Sequence, residues 1–154
     1  KNQKILSILK SYNQNNLAEI SFKRNEYFNR ICKFIKKNRG LIVTVDYGYS
    51  KNIKYFTLQA IQNHKFSNVL DNIGNKDISS HVNFKDLISI AKYNNLKIEE
   101  FCTQNEFLLK FGILERFKKI SNTNVKKEIR LELDKLINKK QMGNLFKFLI
   151  VSNL

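Results

Sequence analysis

Four consecutive residues, Asp46-Tyr47-Gly48-Tyr49, hold the best-placed chemistry in this sequence. They follow Leu41-Ile42-Val43-Thr44-Val45, an unbroken β-branched run that reads as a strand buried on both faces and stopping at the acid. An acid and a glycine at the carboxyl end of such a strand stand where open α/β sheets place their ligand crevice. Two readings stay open: Asp46 and Tyr47 line that crevice, or Asp46 caps backbone amides while Tyr47 packs. A second constellation, Asp77, Ser79 and His81, alternates so that extended chain would put all three on one face. Histidine suits proton transfer near neutrality, so His81 is a candidate. A nucleophilic triad, however, is a matter of geometry and not of nearness in sequence. A polar loop whose side chains cap the following helix accounts for the same three residues.

The other reactive types are dispersed. Cys32, Cys102, His64 and His81 never fall at metal-ligand spacing, so no metal site is expected. Both cysteines lie in apolar stretches and read as small buried hydrophobes. The five glycines, at 40, 48, 74, 112 and 143, are too far apart for a dinucleotide fingerprint or a P-loop. This chain alone is therefore not expected to cradle a nucleotide.

The elements that must position these residues follow from periodicity. Ser21 is a plausible N-cap for a helix to about Asn38, with Tyr27, Phe28, Ile31, Phe34 and Ile35 as one apolar stripe. Gly40 is expected to end it in a left-handed conformation. Residues 50–82 lack a clean period and read as a long irregular connection. Asn83 is expected to cap a helix to about Tyr93, with Asp86 as its capping-box partner and Phe84, Leu87, Ile88 and Ala91 on the apolar face. Asn94-Asn95 close that helix. Leu96–Cys102 reads as a strand, irregular at Glu99-Glu100. Gln104 to about Ile120 is mostly helical, broken near Gly112. Val125–Ile137 is another helix, and Leu145–Val151 a last strand partly exposed at Lys147. The order is α/β but lopsided: the buried strand has fewer neighbours than a doubly wound sheet requires.

Length and composition set the frame. At 154 residues the chain amounts to one domain, and 42% hydrophobic residues suffice for a core. No apolar run approaches the ~18 residues of a membrane span, and no secretion signal is visible. Two cysteines cannot form a disulfide framework, which points to a reducing compartment. The chain opens on Lys1-Asn2-Gln3 without Met, as a fragment, a processed product or a trimmed polypeptide would. The net charge is +15, yet 23 Lys, 21 Asn and 18 Ile beside five Arg suggest the drift of an A/T-rich genome. A nucleic-acid surface would cluster its charge and favour arginine, so nucleic acid is not the expected partner. A basic binding module for RNA or an acidic protein partner is the alternative reading.

Five motifs occur in order: GLIVTVDYGY (40–49), TLQAIQNHKF (57–66), DISSHVNF (77–84), TQNEFLLKFGILER (103–116) and QMGNLFKFL (141–149), with EIS (19–21) ahead of them. Together they resemble the MidA-like class I SAM-dependent methyltransferases, which include a mitochondrial protein-arginine methyltransferase of respiratory complex I assembly. The resemblance covers about residues 17–154. It implies the C-terminal half of a Rossmann-like methyltransferase sheet, with 1–154 as a single partial domain. Leu41–Asp46 would be the fifth strand, 96–102 and 145–151 the terminal antiparallel pair, and 103–140 a helical insertion before the last strand. The family's glycine-rich SAM loop and Asn-Glu-Phe-Phe-Asp stretch belong upstream and are missing from these residues. Carried over by motif, Asp46, Tyr47, Gly48 and Tyr49 would border the methyl-transfer pocket. Gln59, His64, Asp77, His81, Thr103 and Gln104 would shape the substrate side, and Asp46, Tyr47 and His81 are the catalytic candidates. Asn83 stands where the family's HVDF has an acid, which puts a substrate-orienting role there in doubt.

The implied partners are the missing N-terminal half and a protein substrate. The implied location is the cytoplasm of a bacterium or the mitochondrial matrix of a eukaryote. S-adenosylmethionine is the implied cofactor of the complete enzyme, and the isolated chain is expected not to bind it. Isothermal titration tests this: no heat of binding is expected, and low-micromolar affinity would refute it.

Overall fold

The computed structural model describes residues 19–51, 53–120 and 126–154. Helix α1 spans Phe22–Asn38, as its period predicts, but it buries Phe28, Cys32 and Ile35. Tyr27, Ile31 and Phe34, assigned from sequence to the same stripe, stay exposed at 63%, 44% and 67%. Two apolar rows therefore run along α1, and one of them meets the core. Ser21 holds the N-cap position without a side-chain hydrogen bond. The helix stops at Arg39, which takes the positive φ of 56° that was expected of Gly40. Gly40 instead leads into the sheet, its carbonyl accepting from the Asn153 N–H at 2.9 Å.

Strand β1, Leu41–Tyr49, includes the Asp46–Tyr49 stretch that sequence placed after it. Along Leu41–Tyr47 it pairs antiparallel with the last strand, β7 (Phe146–Ser152). On its other edge Gly48 and Tyr49 pair in parallel with Val82 and Asn83 of β5. With β6 (Lys97–Thr103) beyond β7, the order is β5-β1-β7-β6.

The expected burial of β1 on both faces is not met. Leu41, Val43, Val45 and Tyr47 are exposed, at 48%, 53%, 44% and 39%. The reason is layering. The core joins Phe28, Cys32 and Ile35 of α1, Phe84, Leu87 and Ala91 of helix α2 (Phe84–Tyr93), Leu96, and Leu149 and Val151 of β7. These cover one face of the sheet. Successive side chains on a strand point to opposite faces, so the odd-numbered residues of β1 lie on the other. No described strand pairs with the second edge of β1 from Leu41 to Tyr47.

Residues 50–82 are more ordered than expected. Strands β2 (Gln59–Gln62), β3 (Lys65–Ser67) and β4 (Asp77–Ser79) form a separate antiparallel sheet in the order β3-β2-β4. Runs of three or four residues are too short for alternation to register. The β2–β3 turn is Asn63-His64, both at positive φ (50° and 60°), the geometry that matches strand twist in a two-residue hairpin.

The remaining expectations are met closely. Asn83 caps α2, accepting from the Lys85 N–H at 3.1 Å, and Asn94 and Asn95 close that helix, Asn95 at φ 55°. The β6 irregularity is a register shift between Ile98 and Glu100. Between β6 and β7 lie α3 (Gln104–Lys110), α4 (Ile113–Ile120), α5 (Lys126–Ile137) and the short α6 (Met142–Leu145). Gly112, at φ 85°, separates α3 from α4. The expected helix start at Val125 lies outside the described residues, and Leu145 belongs to α6 and not to the strand. Phe107 of α3 stacks on Phe148 at 4.0 Å, securing this insertion to the far face of β7.

One close approach fixes the junction of β1, β5 and α2. A Cβ on Gly48 would stand 2.5 Å from both Phe84 Cδ2 and the Val82 carbonyl oxygen. Gly48→Ala is therefore expected to cost about 1–3 kcal/mol or more, as overpacking does. Gly40→Ala, whose methyl would touch Ile35 at 3.4 Å, should shift the urea midpoint far less.

Candidate functional site

The carboxyl end of β1 is held by a carboxylate that periodicity could not single out. Glu19 Oε1 accepts from the Thr57 N–H at 2.7 Å and the Leu58 N–H at 3.1 Å, and its Oε2 accepts from Thr57 Oγ1 at 2.5 Å. The buried Thr57 then accepts, at Oγ1, from the His81 N–H at 2.9 Å. Three segments far apart in sequence are thus tied at one point. The His81 ring stacks on Tyr47 (centroids 6.3 Å apart, planes at 20°), and Tyr47 packs against Phe146 at 4.2 Å. Phe146, Tyr47 and His81 form an aromatic row at the strand tip.

A second network locks α1 to α2. Arg24 Nη2 donates to Asp86 Oδ2 at 3.1 Å, Asn25 Nδ2 to the same oxygen at 3.3 Å, and Asn83 Nδ2 to Asp86 Oδ1 at 3.1 Å. Position 83 is therefore occupied by helix capping through its Oδ1, and its Nδ2 adds a bond to Asp86 that an aspartate could not donate. Tyr49 lies between the two networks. Burial pushes its hydroxyl pKa above the usual value, the Glu19 and Asp86 charges add to that, and Arg24 opposes it.

The structure brings Asp46, Tyr47, Gly48, Tyr49 and His81 to one end of the sheet and spreads the other candidates. Asp46 is exposed, and its Oδ1 accepts from the Tyr47 N–H at 2.8 Å. Gln59 Nε2 donates to Ser79 Oγ at 3.1 Å across β2 and β4. Asp77 stands opposite Ile61 on β4. His64 occupies the hairpin turn, and among the described residues no hydrogen bond or ring contact joins it to the tip. Ser79 thus bonds Gln59 while His81 bonds Thr57, and no hydrogen bond links Asp77, Ser79 and His81 as a triad among the described residues. Thr103 and Glu106 form a reciprocal capping box on α3, which holds the Glu106 carboxyl below its usual pKa. Gln104 Nε2 donates to the Leu136 carbonyl at 2.8 Å, anchoring α3 to α5. Both side chains at 103 and 104 thus serve the helical insertion.

Sequence reasoning missed Glu19 and Thr57. An isolated acid ahead of a helix has no periodic signal, and a threonine in a connection has none either. Two clefts flank β1. One, of about 600 Å³, lies along the unpaired edge between α1 and β1, lined by Arg24, Tyr27, Ile31, Val43, Val45 and Asp46 among others. The other, of about 630 Å³, lies beyond the tip around Tyr49, Lys51, Lys54, Tyr55 and Lys147. Among the described residues no group of three His, Cys, Asp or Glu could hold a metal ion, and no helix is long and apolar enough to cross a membrane.

Residues 1–102 match the model of a family described as putative S-adenosyl-L-methionine-dependent methyltransferases. The chain is 28% identical over 127 residues to the mitochondrial protein arginine methyltransferase NDUFAF7 of Danio rerio. The match covers 80% of this chain and 30% of that one. The Xenopus tropicalis protein of the same name is 30% identical over 126 residues, covering 79% and 29%. The chain thus spans about 30% of the length of these curated relatives. Two crystal structures from Burkholderia thailandensis share the fold. An uncharacterized superfamily member superposes with TM-score 0.81 at 21% identity, over 91% of this chain and 40% of that one. A likely methyl transferase bound to S-adenosyl-homocysteine gives 0.73 at 22%, over 85% and 36%. The sheet is accordingly a portion of a Rossmann-like methyltransferase fold.

The Glu19 network makes two measurable claims. Glu19→Gln removes an anion beside Tyr49, so Tyr49 should lose its proton at lower pH, read by ultraviolet titration against Tyr49→Phe. Thr57→Val cuts the chain from Glu19 to His81 and should cost about 1.5–3 kcal/mol, the range for hydrogen bonds to charged groups. Thr57→Ser should recover most of that loss in urea unfolding.

Proposed function

Since the chain belongs to the family of putative S-adenosyl-L-methionine-dependent methyltransferases, we propose that it is the acceptor-side portion of such an enzyme, working with an upstream portion that holds the methyl donor. The observation that carries this is the unpaired edge and uncovered apolar face of β1. Unpaired strand edges invite a further strand, and the exposed Tyr27 and Ile31 of α1 line one cleft together with Val43 and Val45 of β1. This chain covers only 36–40% of the solved chains, which supports a companion portion that makes up the larger remainder.

The described residues do not suit the donor itself. Gly48 is filled against Phe84 and Val82, and a Cβ on Gly143 would meet the Ile137 carbonyl oxygen at 2.5 Å. These glycines serve packing and leave no cradle, which supports assigning S-adenosylmethionine to the upstream portion. The chain's own contribution is the strand tip, which offers Asp46 on one face to attract a cation and the Phe146, Tyr47 and His81 row on the other as an aromatic surface. Transfer to a guanidinium calls for in-line positioning and carboxylates that offset positive charge. Asp46 and Asp77 are the acids proposed for this, with Gln59 and His64 on the substrate side.

The acceptor class we propose is protein arginine, and the process is respiratory complex I assembly. The acceptor class is supported by the names of the vertebrate relatives, and the process by the family resemblance of the five motifs. Their mitochondrial naming supports the matrix for a eukaryotic host; in a bacterium the cytoplasm is proposed.

Complementation tests the reading. Mixed with a separately expressed upstream portion of the family's fold, the chain should co-purify with it and restore donor binding and arginine methylation. A complex that binds the donor yet methylates no arginine overturns the acceptor assignment. Val43→Lys, at an exposed position, should leave stability within about 0.5 kcal/mol and abolish co-purification.

A further inference from the structure

The cleft beyond the tip of β1 carries a charge pattern that the methyltransferase reading leaves unexplained. Lys51 and Lys54 follow the strand, and Lys147 enters from β7, where it stands opposite Asp46 in register. Tyr49 and Tyr55 add aromatic surface and two hydroxyl groups, and among the described residues no carboxylate lines this cleft. Lysines are scattered along the whole chain, but here three meet around one cavity of about 630 Å³.

Lys147 is the most constrained of the three. Its Nζ donates to the Asn144 carbonyl, and burial pushes its pKa below the usual lysine value, with Glu106 partly offsetting this. A cation taken from water with a carbonyl as its hydrogen-bond acceptor gains when an anion arrives. The lysines repel a guanidinium, so the cleft does not suit the proposed acceptor arginine. They favour what can stand beside such an arginine in a polypeptide, a glutamate or aspartate.

We propose that the cleft formed by Tyr49, Lys51, Lys54, Tyr55 and Lys147 binds acidic side chains flanking the acceptor residue of a protein substrate. The substrate assignment rests on the reading above, while the binding site stands on the cleft itself. A peptide is favoured over RNA because the three cations border one local, open cleft and do not form an extended stripe. None of the five arginines lines it, and arginine is the side chain favoured for phosphate recognition.

The test is fluorescence anisotropy with the full chain and a labelled peptide, Glu-Glu-Gly-Arg-Gly-Glu-Glu, against its all-glutamine counterpart. The acidic peptide should bind at least about tenfold more tightly, and its affinity should fall as salt rises from about 50 to 200 mM. The Lys51→Glu, Lys54→Glu double variant should lose about tenfold, since exposed pairs contribute up to several-fold each. Reversing Lys33 and Lys92, which lie outside the cleft and change net charge equally, should not. Lys147→Met, judged only if its circular dichroism matches the parent chain, should weaken binding as well.

Equal binding of the two peptides, or equal effects of both double variants, overturns the proposal. So does tighter binding of an oligouridylate than of the peptide, or full competition by inorganic phosphate at comparable concentration. No methyl donor enters the assay, so the two readings fail separately. Selective binding without methyl transfer in the complemented enzyme removes the reaction and leaves the cleft. Arginine methylation indifferent to flanking acids removes the cleft and leaves the reaction.

Discussion

A strand inside a sheet must pair two edges and cover two faces, because unpaired amides and exposed aliphatic side chains both cost free energy. Leu41–Tyr49 meets half of that demand. Its pairing with β7 and its cover by α1 and α2 complete one edge and one face. The other edge is paired at Gly48 and Tyr49, and the odd-numbered face is exposed from Leu41 to Tyr47. Nearly everything of functional interest lies along that unfinished side. The aromatic row, Asp46, the first cleft and the exposed row of α1 all border it.

Order at the strand tip comes from polar contacts as well as from the packing around Gly48 and Tyr47. Glu19 gathers two amides and a hydroxyl, and Thr57 passes the constraint to the backbone of His81. Arg24 and Asp86, each mostly shielded, fix the angle between α1 and α2. Lys110 and Glu100 pair at the start of the helical insertion. The tip can therefore stay arranged while the apolar side of β1 remains open.

What sequence revealed follows the length of each signal. Helix α2 and its Asn83 cap, the break at Gly112, the β6 irregularity and the helical insertion all rest on patterns of several residues. The five motifs gave the family and the place of β1 in the sheet. The buried row of α1 was misread because Tyr27, Ile31 and Phe34 share its period: hydrophobicity says what can be covered, not what is. The same limit explains β1: its β-branched run says that both faces can be covered, while the described residues cover one. Strands β2, β3 and β4 were too short to be read, and Glu19 acquires its meaning from Thr57, thirty-eight positions away.

The register shift in β6 has a consequence for stoichiometry. That strand is the outer one of the larger sheet, and its irregularity between Ile98 and Glu100, with Lys97, Glu99 and Glu100 alongside, makes it a poor template for strand addition. The opposite border, along β1 from Leu41 to Tyr47, keeps an unbroken register with β7 and exposes Leu41, Val43 and Val45. A sheet with one receptive border and one blunted border is a monovalent unit: it can join one other body there, and growth then stops at a pair instead of running on into a filament.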